Sequence, residues 1–74
     1  NMLKKDYLYG YYIQYDESAY DGYTYLRDRL DRDEVVVFLE TAYHKGEAPF
    51  EDDYGRNYLL SKNSDGTYLL TRRD

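Results

Sequence analysis

The chain has no cysteine and no tryptophan, and one residue each of histidine, methionine and proline. Without cysteine there is no disulfide framework, thiolate metal site, cysteine nucleophile or thiol redox centre. A single histidine excludes any site that needs two from one chain. The longest apolar run, Val35–Leu39, falls far short of the ~20 residues that span a bilayer, and no signal-peptide pattern opens the sequence. A cytoplasmic protein with no membrane partner is expected. No Ser-His-Asp arrangement, phosphate-cradling glycine loop or pair of catalytic carboxylates stands out. The expectation is therefore a protein that is not an enzyme, with no cofactor and no metal.

What is abundant is tyrosine, 12 of 74 residues. The length is that of one domain; Met2 reads as the natural start and Asn1 as a remnant ahead of it, so the domain spans 2–74. A chain this short buries only about 60% of the surface its unfolded form exposes. Small scaffolds usually need a staple, and neither a disulfide nor a metal is on offer here. Close packing of large side chains, or self-association, must substitute. Tyrosine suits both, because it pairs a large contact area with a polar tip.

The first segment alternates with period two. Tyr7, Tyr9, Tyr11, Ile13 and Tyr15 fall on one face, and Asp6, Leu8, Gly10, Tyr12 and Gln14 on the other. This predicts one long strand over 5–15, with a bulge or a close approach at Gly10. Tyr23, Leu26 and Leu30 recur at helical spacing behind a Ser18/Asp21 capping pattern, predicting a short helix over 19–31. Gly22 in its first turn weakens it by about 1 kcal/mol relative to alanine. Val35, Phe38, Leu39, Ala42 and Tyr43 trace a second amphipathic helix over 34–45, N-capped by Asp33 and closed by Gly46. His44 sits in its last turn, where it complements the helix dipole. Residues 47–54, with Pro49 and the acidic run Glu51-Asp52-Asp53, read as a loop with Phe50 tucked inwards. The run lacks the spacing of a calcium loop and reads as solvated.

Residues 56–63 and 67–73 predict a β-hairpin. Asn63-Ser64-Asp65-Gly66 suits a type I turn followed by Gly66 in the left-handed region. Leu60 then faces Leu70, and Tyr58, Leu60, Tyr68 and Leu70 share one face opposite Leu59 and Leu69. The predicted fold is α+β, a single small domain of β-α-α-β-β order. Its three-stranded antiparallel sheet has both helices packed on one face.

The order helix–helix–hairpin resembles, in a general way, the core of a winged-helix domain. That resemblance implies DNA reading by the second helix. Here this helix carries Glu34 and Glu40 against Lys45, without the clustered lysine or arginine that phosphate contact requires. Charge is distributed unevenly along the chain. Residues 16–53 hold twelve acids against four bases, net −8, while 1–15 and 54–74 are net +1 and +2.

Three functional readings follow. The leading one is a non-enzymatic protein-interaction or regulatory module, with a homodimer as one form of it, using the tyrosine stripe Tyr7, Tyr9, Tyr11 and Tyr15, since tyrosine is enriched in interfaces and hot spots. Its partner is a protein or a second copy. The second is a nucleic-acid binder using a basic, aromatic sheet face of Tyr58, Lys62, Tyr68 and Arg72, where bases stack beside cations. The third is an acidic nucleic-acid mimic acting through residues 16–53.

Overall fold

The computed structural model describes residues 3–74; the reading of Asn1 and Met2 lies outside them. The first tyrosine-rich segment is extended, but it is folded back on itself. Strands β1 (Lys4–Leu8) and β2 (Tyr11–Tyr15) pair antiparallel, with Leu8 opposite Tyr11 and Tyr7 opposite Tyr12. Tyr9 and Gly10 make the connection, both with positive φ, 52° and 87°. Positive φ at both central residues marks a two-residue turn whose twist matches that of the flanking strands. Gly10 therefore turns a hairpin instead of bulging one long strand.

The second addition to the sheet is β3 (Glu47–Glu51), a segment expected to be loop. It pairs antiparallel with β4 (Asn57–Lys62), Pro49 opposite Leu59. Proline has no N–H to donate, and an edge strand tolerates it. Ala48 and Phe50 alternate inwards to the core. The strand order is β1-β2-β5-β4-β3, with β5 spanning Tyr68–Arg72. Strands β2 and β5 are parallel over Ile13–Tyr15 and Tyr68–Leu70. The expected three-stranded antiparallel sheet is thus corrected to a five-stranded mixed sheet in an α+β domain.

The first helical segment is composite: a 3-10 turn (Glu17–Ala19), helix α1 (Tyr20–Thr24) and a π turn (Tyr25–Arg29). It closes with the Leu30 N–H donating to the Tyr25 carbonyl at 3.2 Å. Helix α2 (Arg32–Lys45) begins earlier than expected, because Asp31 and not Asp33 is the N-cap. The backbone N–H of Asp31 donates to Glu34 Oε1 at 2.9 Å, the reciprocal bond of a capping box. Gly46 ends the helix at φ 92°, and its N–H donates to the Ala42 carbonyl at 2.8 Å.

The β4–β5 turn has the expected register. Lys62 is opposite Tyr68 and Leu60 opposite Leu70, and Gly66 has φ 89°. That register sends Tyr58, Leu60, Tyr68 and Leu70 into the core, where they meet Tyr23 and Leu26 from the first helical segment and Val35, Leu39 and Ala42 from α2. Gly22 lies directly on the Tyr58 ring. Both helical segments cover this one face. The other face, carrying Tyr7, Tyr12, Gln14, Leu59 and Leu69 by alternation, has no helix of the described residues against it. No helix among the described residues is long and apolar enough to cross a membrane.

Candidate interaction site

The hairpin turn at Tyr9-Gly10 decides where each tyrosine of the first segment goes. A two-residue turn pairs Tyr7 with Tyr12, not with Tyr11, so the odd-numbered stripe is divided between the two faces. Tyr15 is buried at 2% exposure and Tyr11 is half-buried, both on the helix side. Tyr7 is exposed on the open face, at 64%, and Tyr9 is exposed in the turn. Tyr12 joins Tyr7, their ring centroids 4.0 Å apart.

Tyr15 and Tyr58 each have a local reason to be buried. The Tyr15 hydroxyl donates to Asp6 Oδ2, and its ring stacks on Tyr23 at 4.6 Å and 10°. Burial first, then the Asp6 carboxylate, pushes the Tyr15 phenol well above its ordinary value. Tyr58 donates to Asp52 Oδ2 at 3.2 Å and stacks on Phe50; burial raises its pKa, with Asp52 adding to the rise. Burial likewise raises Tyr23 and Tyr68.

The alternative nucleic-acid face is divided by the same register. Tyr58 and Tyr68 are 0% and 3% exposed beneath the helices, so no base reaches their rings. Lys62 and Arg72 are exposed at opposite ends of the hairpin. The acids of 16–53 are partly engaged within the chain. Arg27 pairs with Asp28, Arg29 with Asp53, and Arg56 with both Asp21 and Asp52, at 2.6–2.8 Å.

Asp52, expected in a solvated run, is instead buried. Its Oδ1 accepts the N–H groups of Tyr54 and Arg56, both at 2.9 Å. Its Oδ2 accepts the Arg56 guanidinium and the Tyr58 hydroxyl. Burial alone would raise the carboxyl, but the Arg56 and Tyr54 bonds outweigh it and hold Asp52 below the usual carboxylate value. The sequence signal overlooked by the solvated-run reading is Asp52-Asp53-Tyr54-Gly55, an Asx-turn pattern with Gly55 at φ 77°. Among the described residues no group of three or more His, Asp or Glu is placed to hold a metal. His44 is exposed, its Nε2 3.7 Å from Glu40 Oε1.

A concavity lies where β2 and β5 part. Their pairing starts at Ile13 and Tyr68; ahead of these residues the β1–β2 and β4–β5 turns diverge and leave a cleft of about 550 Å³. Tyr7, Tyr11, Tyr12 and Tyr43 contribute rings to its lining, and Glu40 and Asp65 contribute its carboxylates. Tyr11 donates to Glu40 Oε2 at 2.8 Å. That bond, then burial, raises the Tyr11 phenol. Tyr12, Tyr43, Glu40 and Asp65 were not singled out from the sequence, because the cleft is assembled from two turns and a helix that are far apart along the chain.

These features define a class of architecture: a small α+β domain with a one-sided mixed sheet and an aromatic, acid-edged cleft at the strand ends. No protein-family model, curated protein sequence or solved structure matches this chain.

Proposed function

We propose that this protein is a non-enzymatic interaction module that binds a partner protein of basic surface through its tyrosine-rich end. The observation that carries this reading is the state of the exposed tyrosine rings. Tyr20 has Lys4 over its ring at 5.6 Å, Tyr54 has Arg56 at 5.0 Å, and Tyr43 has Lys62 at 4.3 Å. Each exposed ring of the helices and the β3–β4 loop is thus matched to a cation of the same chain. Tyr7, Tyr9 and Tyr12, gathered at the β1–β2 turn, have no such match among the described residues, although all three are at least 39% exposed.

Such rings offer contact area at small conformational cost, and they cluster at binding hot spots. A net charge of −5 favours a basic partner over a second acidic copy. The reading as a nucleic-acid binder lacks its stacking platform, since Tyr58 and Tyr68 are core residues. The mimic reading rests on acids that are in part already paired.

The test compares the wild-type protein with the Tyr7→Ser/Tyr12→Ser variant, first shown to be folded by near-ultraviolet circular dichroism. Both are used to capture proteins from extracts of the source cells, with nuclease present. A basic protein held stoichiometrically by the wild type and released by the variant supports the proposal. Equal retention by both proteins overturns it, as does a wild-type homodimer in light scattering that the same two substitutions dissociate.

A further inference from the structure

We infer that the cleft between the β1–β2 and β4–β5 turns is a receptor for an arginine side chain of the partner. The inference deepens the reading above and rests on it. Three features of the cleft choose the ligand. Its charged lining is anionic, Glu40 and Asp65. Its remaining walls include the Tyr7/Tyr12 pair, Tyr11 and Tyr43. Its volume, about 550 Å³, lies within the roughly 300–1,000 Å³ of sites that enclose small groups.

A planar guanidinium is the cation that stacks on a phenol ring and pairs with a carboxylate at the same time. Glu40 is positioned for that pairing. One of its oxygens is held by the Tyr11 hydroxyl at 2.8 Å, and the other faces His44 at 3.7 Å, too long for a hydrogen bond. The carboxylate is therefore oriented but retains acceptor capacity. Lys62, 4.3 Å above Tyr43, shows that a ring of this cleft already holds a cation. The Tyr7/Tyr12 pair offers the other ring surface, with no cation over it among the described residues. Asp65 is less available, because Thr67 donates to its Oδ1 from both backbone and side chain. Glu40 is thus the main anionic anchor.

The probe is N-acetyl-arginine methylamide, titrated at constant ionic strength against protein with tyrosine rings labelled for NMR. The isosteric citrulline derivative, neutral and equally planar, is the control. The arginine derivative is expected to shift the ring signals of Tyr7, Tyr12 and Tyr43 in a saturable manner. The citrulline derivative should bind at least about fivefold more weakly, the weight of an exposed ion pair with a cation–π contact. Glu40→Gln keeps the acceptor for Tyr11 and should weaken arginine binding by about two- to fivefold. Tyr12→Leu should do the same, while Tyr54→Ser, outside the cleft, should not.

Equal binding of both derivatives overturns the inference. So do shifts spread evenly along the acidic helical segments, which would report a general polyanion effect. If partner capture succeeds while the arginine derivative leaves the cleft signals unmoved, this inference falls and the interaction reading stands. If the derivative binds as described but capture is unchanged by Tyr7→Ser/Tyr12→Ser, the interaction reading falls, and the inference falls with it.

Discussion

Replacing Gly22 with alanine should destabilise this protein, against the usual rule for helices. In an exposed helix interior the change gains about 1 kcal/mol. Here a Cβ at position 22 would stand 2.6, 2.8 and 2.9 Å from three carbons of the Tyr58 ring. Carbon atoms pack at about 3.5–4.0 Å, so the overlap approaches an ångström. The ring has little room to retreat. It is fully buried, stacked on Phe50 at 5.3 Å, and tied by its hydroxyl to Asp52. Overpacking of a tight core costs about 1–3 kcal/mol. With three ring carbons struck, the upper half of that range applies. After the helical gain is subtracted, the net loss is about 1–2 kcal/mol. Urea unfolding followed by near-ultraviolet circular dichroism reads this directly. With a slope near 1 kcal/mol/M for a small domain, the midpoint should fall by about 1–2 M. The same substitution in a Tyr58→Leu background should be neutral or stabilising, because the clash has gone and the helical gain remains. A midpoint that rises on Gly22→Ala in the wild-type background would refute the reasoning. The spacing between α1 and β4 would then not be set by glycine-on-ring contact.

Gly66→Val should cost about 1–2 kcal/mol, because φ is 89° there while the space around the Cβ is empty; the loss is purely conformational, and Gly66→Asn should recover part of it. Tyr15, Tyr23, Tyr58 and Tyr68 have raised folded-state pKa values, so their contribution is whole below the ordinary phenol value of 10.0 and is lost as pH climbs above it. Phenolate absorbance should accordingly show a late class of tyrosines ionising together with loss of near-ultraviolet dichroism; a single ionisation of all twelve with the dichroism intact would contradict this. Asp52 has a lowered folded-state value, so its contribution is present above the ordinary 3.8 and is lost as pH falls below it. Asp52→Asn should destabilise by about 1–3 kcal/mol at neutral pH and flatten the acid limb of the stability profile, as measured by urea midpoints across pH.

Local chemistry was legible wherever a short stretch of chain decides its own geometry. The β4–β5 turn is such a case: Asn63 to Gly66 dictates register, and register dictates that Leu60 faces Leu70. The Gly46 cap of α2 is another. Strand count was not legible, for two separate reasons. Over Tyr7–Tyr15 the alternation runs straight through the turn, since a two-residue connection preserves the appearance of period two while exchanging the faces. At Glu47–Glu51 the alternation of Ala48 and Phe50 was present, but Pro49 suggested a loop, and only its place at a sheet edge makes proline acceptable. The parallel pairing of β2 with β5 has no local signature at all. It depends on the helices packing across the sheet, and the cleft that follows from it was hidden for the same reason.

The abundance of tyrosine is explained by that topology. A small domain with a one-sided sheet has too little interior for twelve rings, and the chain sorts them by what their hydroxyls meet. Tyr15 and Tyr58 enter the core because Asp6 and Asp52 accept hydrogen bonds from their hydroxyls there. Tyr20, Tyr43 and Tyr54 remain outside with cations of the chain over their rings. The β1–β2 turn then sets the remainder apart. By reversing parity at Tyr9-Gly10 it moves Tyr7 from the side of Tyr11 and Tyr15 to that of Tyr12. The result is one end of the molecule where, among the described residues, the Tyr7 and Tyr12 rings stack on each other with no cation of the chain over them, near the Glu40 carboxylate, which retains acceptor capacity. Stability does not require such an arrangement, since Tyr7 at 64% exposure contributes little burial. The proposed role of that end in binding a basic partner gives these rings the function that the core does not.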